Sequence, residues 1–221
     1  MRIRWHTARS TTWAARLRAQ HDALRRSPTI EFPSGNQAEK GTAWITRREE
    51  GIPWSGITDD LRLLANPTDL ALLVALDQWT RNCDRYRPEP LRVNRNNVFF
   101  SRADAPEGRF RLIAMDFTHA FNCGSPLSPA LAHIGRVQDE MRFGLFPEFA
   151  AVIQREQATT AAATLRSVSD ADIMRIVGEV PSDWDLDAPT RTAMIRFLSQ
   201  RRDWLAAEFV RLIFPQDELF N

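Results

Sequence analysis

The chain has 221 residues, a size that holds one full domain or a domain with an appendage. Its hydrophobic fraction of 43% and charged fraction of 26% are those of an ordinary soluble globular protein, and seven Trp and thirteen Phe supply area for a substantial core. A formal net charge of +1 names no partner, because neither acid nor base dominates, and Lys40 is the sole lysine.

Residues 1–30 carry seven arginines against one acid, Asp22, a local balance of +6. Trp13, Leu17 and Leu24 fall near helical spacing, and the Arg-rich, acid-poor composition is also that of an organelle transit peptide. Electrostatic contact with nucleic acid is a third reading of 1–30, and a poorly ordered terminus a fourth, set level with the others combined. The arm and its linker are assigned to 1–40, partly disordered, and the folded domain to 41–221. No apolar stretch stands behind the positive charges of 1–20, so no secretory signal is expected.

From Ser27 to Gly56 the chain is rich in Pro, Gly and Ser and reads as irregular connecting structure, with a strand at 42–46. Asn66-Pro67 then opens a helix, Asn accepting from first-turn amides and Pro suiting the first helical position. Leu70, Leu72, Leu73, Val74, Leu76 and Trp79 cover most of its circumference, which predicts a central helix buried on several sides. The run from Leu70 to Leu76 is the longest apolar one and far too short to cross a bilayer, so a cytoplasmic protein without membrane contact is expected.

That helix delivers the chain to Asn82-Cys83-Asp84-Arg85. Cys83 and Cys123 stand forty positions apart with no C-x-x-C spacing and no nearby His pair, which predicts two reduced thiols rather than a disulfide framework or a zinc site. Val98-Phe99-Phe100 and the run 110–115 are strand-like and flank a polar connection, a pattern that predicts a β-hairpin. Antiparallel pairing would bring Asn97 at the start of one strand beside Asp116 past the end of the other. After Gly124 the pattern is helical. Pro147 opens one segment, Ser169 caps another with Asp172 three residues on, and Asp187 with Pro189 starts the last and longest helix. The fold class expected is mainly α with a small β-hairpin.

Taken singly, Asp84 reads as an ion-paired acid near Arg81 and Arg85, Asn97 as turn chemistry, and Asp116 as a strand-terminal surface acid. In this order around a hairpin they read better as one chemical ensemble. Phosphoryl transfer needs a carboxylate to orient the attacking hydroxyl, plus an amide and a second carboxylate to hold Mg²⁺ on phosphates. His119, three residues past Asp116, is assigned a structural role, as is Arg85, which would hold the neighbouring loop by pairing with an acid.

The stretch Asp77-Gln78-Trp79-Thr80-Arg81-Asn82-Cys83-Asp84-Arg85, then Asn97-Val98-Phe99-Phe100, then Asp116-Phe117-Thr118-His119-Ala120-Phe121 resembles the HipA-like kinases. Pro181-Ser182-Asp183-Trp184, followed by a helix containing Arg201-Arg202, is similar to a smaller bacterial branch of that family, and the resemblance spans roughly 41–214. It implies a protein-kinase-like C-terminal lobe. It also implies Asp84 as the catalytic carboxylate, Asn97 and Asp116 as Mg²⁺ ligands, ATP as phosphoryl donor and a protein Ser/Thr hydroxyl as acceptor.

The chain departs from that pattern in four places. Twelve residues, not four, separate Asp84 from Asn97, and Asn94 and Asn96 compete for the ligand role. Thr118 stands where the family has Gly after Asp-Phe. The nine glycines form no phosphate cradle, and Lys40 sits in a loop-like context rather than a V-A-x-K strand. Fewer than fifty residues precede the matching region, too few for a five-stranded N-lobe. Two other readings follow: a catalytically degenerate kinase-fold interaction module, and nucleic-acid contact through 1–30.

Overall fold

The computed structural model describes residues 50–215, all within one compact unit. The expectations for the basic arm, its linker and the strand at 42–46 lie outside the described residues. Within them the chain is mainly helical with two small antiparallel sheets. No described helix is long and apolar enough to cross a membrane.

The three-stranded sheet has the order β1 (Gly51–Pro53), β4 (Val98–Ser101), β5 (Arg111–Ala114). β4 and β5 form the expected hairpin, with Val98 opposite Ala114 and Phe100 opposite Leu112. β1 lies in the Pro-, Gly- and Ser-rich stretch expected to be irregular, and β4 supplies the template that makes it a strand. Only glycine fits at Gly51, where a Cβ would run into the Phe100 carbonyl. A second sheet, β2 (Tyr86–Arg87) with β3 (Arg92–Val93), lies inside the twelve residues that separate Asp84 from Asn97.

Helix α1 (Asp69–Thr80) is central, as its apolar circumference predicts: Leu70, Ala71, Leu73, Val74 and Ala75 are buried. Asn66 does a different job from the one expected. Its carbonyl accepts from the Asp69 amide, but its side chain makes no cap bond to the first turn; its Oδ1 accepts from the Leu112 amide at 2.9 Å and so fastens the start of α1 to β5. The main core joins α1 to α2 (Arg155–Arg166), to the C-terminal half of α4 (Ala188–Ile213), and to the ring cluster of Trp54, Phe146 and Phe149. A smaller core packs α3 (Asp170–Gly178) against the N-terminal half of α4 through Ile173, Val177, Met194 and Phe197. Trp79 packs against both cores. The caps foreseen for the last two helices form: Ser169 accepts from the Asp172 amide and Asp187 from the Thr190 amide.

Arg201 of α4 is fully buried. It donates to the Gln78 carbonyl at 2.7 Å, which also accepts the Arg81 amide, and to the carbonyls of Arg136, Val137 and Asp139, so it ties the C-terminal end of α1 to that segment. Burial pulls its guanidinium down to about 9, and the Asp139 charge opposes that fall.

Gly144 has φ +71°, donates its amide to the Tyr86 carbonyl, and leaves no room for a Cβ against the Asp77 carboxylate. Gly144→Ala combines a left-handed backbone with overpacking and is expected to cost about 3 kcal/mol. The urea midpoint checks it; an unchanged midpoint would mean the Asp77 side chain moves freely.

Candidate functional site

The site begins where α1 stops. Arg81 takes a left-handed conformation at φ 50° and turns the chain away from the helix axis. Its guanidinium bonds the Asp139 carboxylate at 2.6 Å and the Phe121 carbonyl at 3.1 Å. Asn82, fully buried, donates from Nδ2 to Asp77 Oδ1 at 3.1 Å and accepts the Asp84 amide on Oδ1. The backbone at Asp84 is therefore held by a side chain anchored in α1.

Arg85 is the hub of the loop. Completely buried, it pairs with Asp77 Oδ1, donates to the Asn97 carbonyl at 3.1 Å, and donates to the Met115 carbonyl at 2.6 Å. Its guanidinium also lies 5.0 Å from the centre of the Phe117 ring. One cation thus fixes the start of β4 and the chain just before Asp116 to the end of α1. Burial pushes the Asp77 carboxyl up, and the Arg85 charge and hydrogen bond oppose that push.

Asp84 is buried and surrounded by donors. Its Oδ2 accepts from Asn97 Nδ2 at 2.7 Å and from Asn94 Nδ2 at 3.0 Å, and its Oδ1 is ion-paired with Arg92. Asn97 is the buried member of the three asparagines and Asn96 the exposed one, so the structure separates two of the competitors that sequence left level. Asn94 remains beside Asp84 as a second amide. With its nitrogen committed to Asp84, Asn97 presents Oδ1 as its remaining polar atom.

Asp116 is exposed, at φ 53° beyond the end of β5. Its Oδ1 accepts from Thr118 Oγ1 at 2.6 Å and from the Thr118 amide at 3.0 Å, and these bonds hold its carboxyl below the usual carboxylate range. The link to Asp84 runs through His119, whose Nδ1 is 3.1 Å from Thr118 Oγ1 and 4.0 Å from Asp84 Oδ2. His119 was expected to be structural; it stands between the two carboxylates.

Arg92 and the bridging position of His119 were not legible in advance. The signal for Arg92 was the long gap between Asp84 and Asn97: an insertion beside a buried acid must return its chain past that acid. The cysteine expectation is corrected. Cys83 and Cys123 are joined in a disulfide with Cα atoms 5.6 Å apart, because β4, β5 and the following loop return Cys123 to the end of α1.

The donors near the hairpin end are hard oxygens, the type Mg²⁺ takes. Among the described residues no three His, Cys, Asp or Glu side chains gather as a self-sufficient metal cage. A cation that arrives on phosphates would need few protein ligands, a carboxylate and an amide being the donor types for it. Comparison with protein-family models, curated proteins and solved structures finds no match for this chain.

Proposed function

We propose that this chain is a HipA-like kinase-fold protein that transfers a phosphoryl group from Mg-ATP to a Ser/Thr hydroxyl of a protein, using the C-terminal-lobe half of that machinery. The observation that carries this reading is the contact of Asn97 with the Asp84 carboxylate at the mouth of a hairpin whose other end leads to Asp116. The outer face of the hairpin adds support: Phe99 lies opposite Ile113, both half-buried, beside the candidate ligands, a surface suited to stacking a purine.

In this reading Asp84 Oδ1 or Oδ2 receives the hydrogen of the substrate hydroxyl and aims its oxygen. Asn97 Oδ1 and Asp116 Oδ2 would hold the metal. Bound Mg²⁺ would neutralise charge on the transferring phosphate. Arg85 keeps the two ligand-bearing strand ends in register, and His119 with Thr118 orients Asp116. Arg92 must yield Asp84 Oδ1, or share it, before a hydroxyl can approach.

Thermal unfolding with and without Mg-ATP tests the reading. Millimolar Mg-ATP is expected to raise the Tm of the wild type by a few degrees, as ligand linkage requires, and Asp116→Ala to abolish that rise. A wild type whose Tm ignores millimolar nucleotide would end the active version.

A second reading, an interaction module without catalysis, draws on the donors that already occupy Asp84, Arg92 among them, and on a sequence whose sole lysine, Lys40, has a loop-like context and whose glycines form no phosphate cradle. It predicts undiminished partner binding in Asp84→Ala. Labelled phosphate on the wild-type chain or a partner, lost in that variant, would reject it. Salt-sensitive nucleic-acid binding that disappears on deleting 1–30 would mark a separate activity of the arm.

A further inference from the structure

The Cys83–Cys123 bond closes a covalent ring that contains Asp84, Asn97, Asp116 and His119. Cys83 adjoins Asp84 and is fully buried; Cys123 is half-buried, with Arg87 Nη1 3.9 Å from its sulfur. Between Asp116 and Gly124 the backbone is under unusual constraint. Asp116, Phe121 and Cys123 all take left-handed φ values of 53°, 66° and 50°, a region non-glycine residues rarely occupy. Phe121 and Asn122 break the helical turn at 120–123 from within. Backbone of this kind persists where its surroundings over-determine it, and here the far end is tied to the loop of Asp84 by two sulfurs.

We propose that Cys83–Cys123 is a thiol–disulfide switch governing the segment 116–124. Joined, the sulfurs clamp that segment to the Asp84 loop. Separated, they let its left-handed residues relax and the Asp116 carboxylate leave its place. The reductant is a dithiol. Its thiolate attacks the more accessible Cys123 sulfur, the Cys83 sulfur leaves and takes up a proton, and a mixed disulfide remains at Cys123. The second thiol of the reductant then closes on its own sulfur, loses its proton and releases Cys123 as a thiolate beside the Arg87 guanidinium. Two electrons pass to the protein and the reductant ends as a disulfide. A glutathione-class disulfide drives the reverse.

The clamp stands on the backbone and the cysteines alone; its effect on Mg-ATP rests on the reading under Proposed function. The full chain is equilibrated with oxidised glutathione or with dithiothreitol, its thiols are trapped by alkylation and weighed, and hydrogen exchange is followed in peptides covering 116–124. The oxidised chain is expected to take no alkyl label after denaturation and the reduced chain two. Exchange at 116–124 should rise about tenfold on reduction, with α4 unchanged. Cys123→Ser should exchange at the reduced rate in both conditions, and Cys83→Ala serves as the second variant. Two alkylatable thiols after oxidised glutathione, or equal exchange in the two states, would overturn the switch. Mg-ATP is then added to both states. A Tm rise larger in the oxidised chain extends the switch to nucleotide binding; no rise in either, with exchange still differing, leaves the clamp standing and removes only the kinase reading.

Discussion

Arg85→Met is expected to lower the melting temperature by about 10 °C, from a loss of roughly 3–5 kcal/mol. The substitution strands the Asp77 carboxylate, which has no solvent exposure, and leaves the Asn97 and Met115 carbonyls without their donor. The loss depends on pH. Burial already raises the Asp77 carboxyl in the folded chain, and the variant removes the charge that opposes the rise. A folded-state value above the unfolded one means that the stability tied to protonated Asp77 is present at low pH and is lost as pH rises through the folded value. The gap between variant and wild type should therefore be wider at pH 8 than at pH 5. Adding Asp77→Asn should recover part of the loss, since removing both charges costs less than removing one. Equal gaps at the two pH values would show that Asp77 is not the stranded group.

Asp84→Asn is expected to cut phosphoryl transfer by about 10²–10⁴-fold under the proposed function, the range a positioned base contributes. The fold should lose about 1–3 kcal/mol. The new amide has the shape of the carboxylate, but Asn94, Asn97 and Arg92 all aim donors at it, so its NH2 must face one of them. The Mg-ATP rise in Tm should survive, because the proposed grip on the metal is through Asn97 and Asp116. Retained transfer would remove Asp84 from the chemistry. Loss of the nucleotide response would make it a metal ligand instead of a base.

What sequence made legible follows the range of the forces involved. Helix α1, the β4–β5 hairpin and the caps at Ser169 and Asp187 are written in local periodicity and in side chains that bond within three residues. β1 is not, because its strand character comes from β4, about fifty residues away. β2 and β3 hide behind Pro88 and Pro90 and are two residues each. The composition of the site was readable and its wiring was not. Arg85 was expected to pair with an acid, but nothing local singles out Asp77, eight positions earlier in the chain. The cysteines failed for the same reason: spacing of forty looks unconnected until a hairpin turns the chain round.

The guanidinium from α4 that closes the end of α1 comes from 123 positions downstream. During synthesis the Gln78 carbonyl therefore has only its local partner, the Arg81 amide, until the last helix has left the ribosome. A nascent chain halted before that helix would carry every candidate donor without the side chain that ties the end of α1 to the carbonyls of Arg136, Val137 and Asp139.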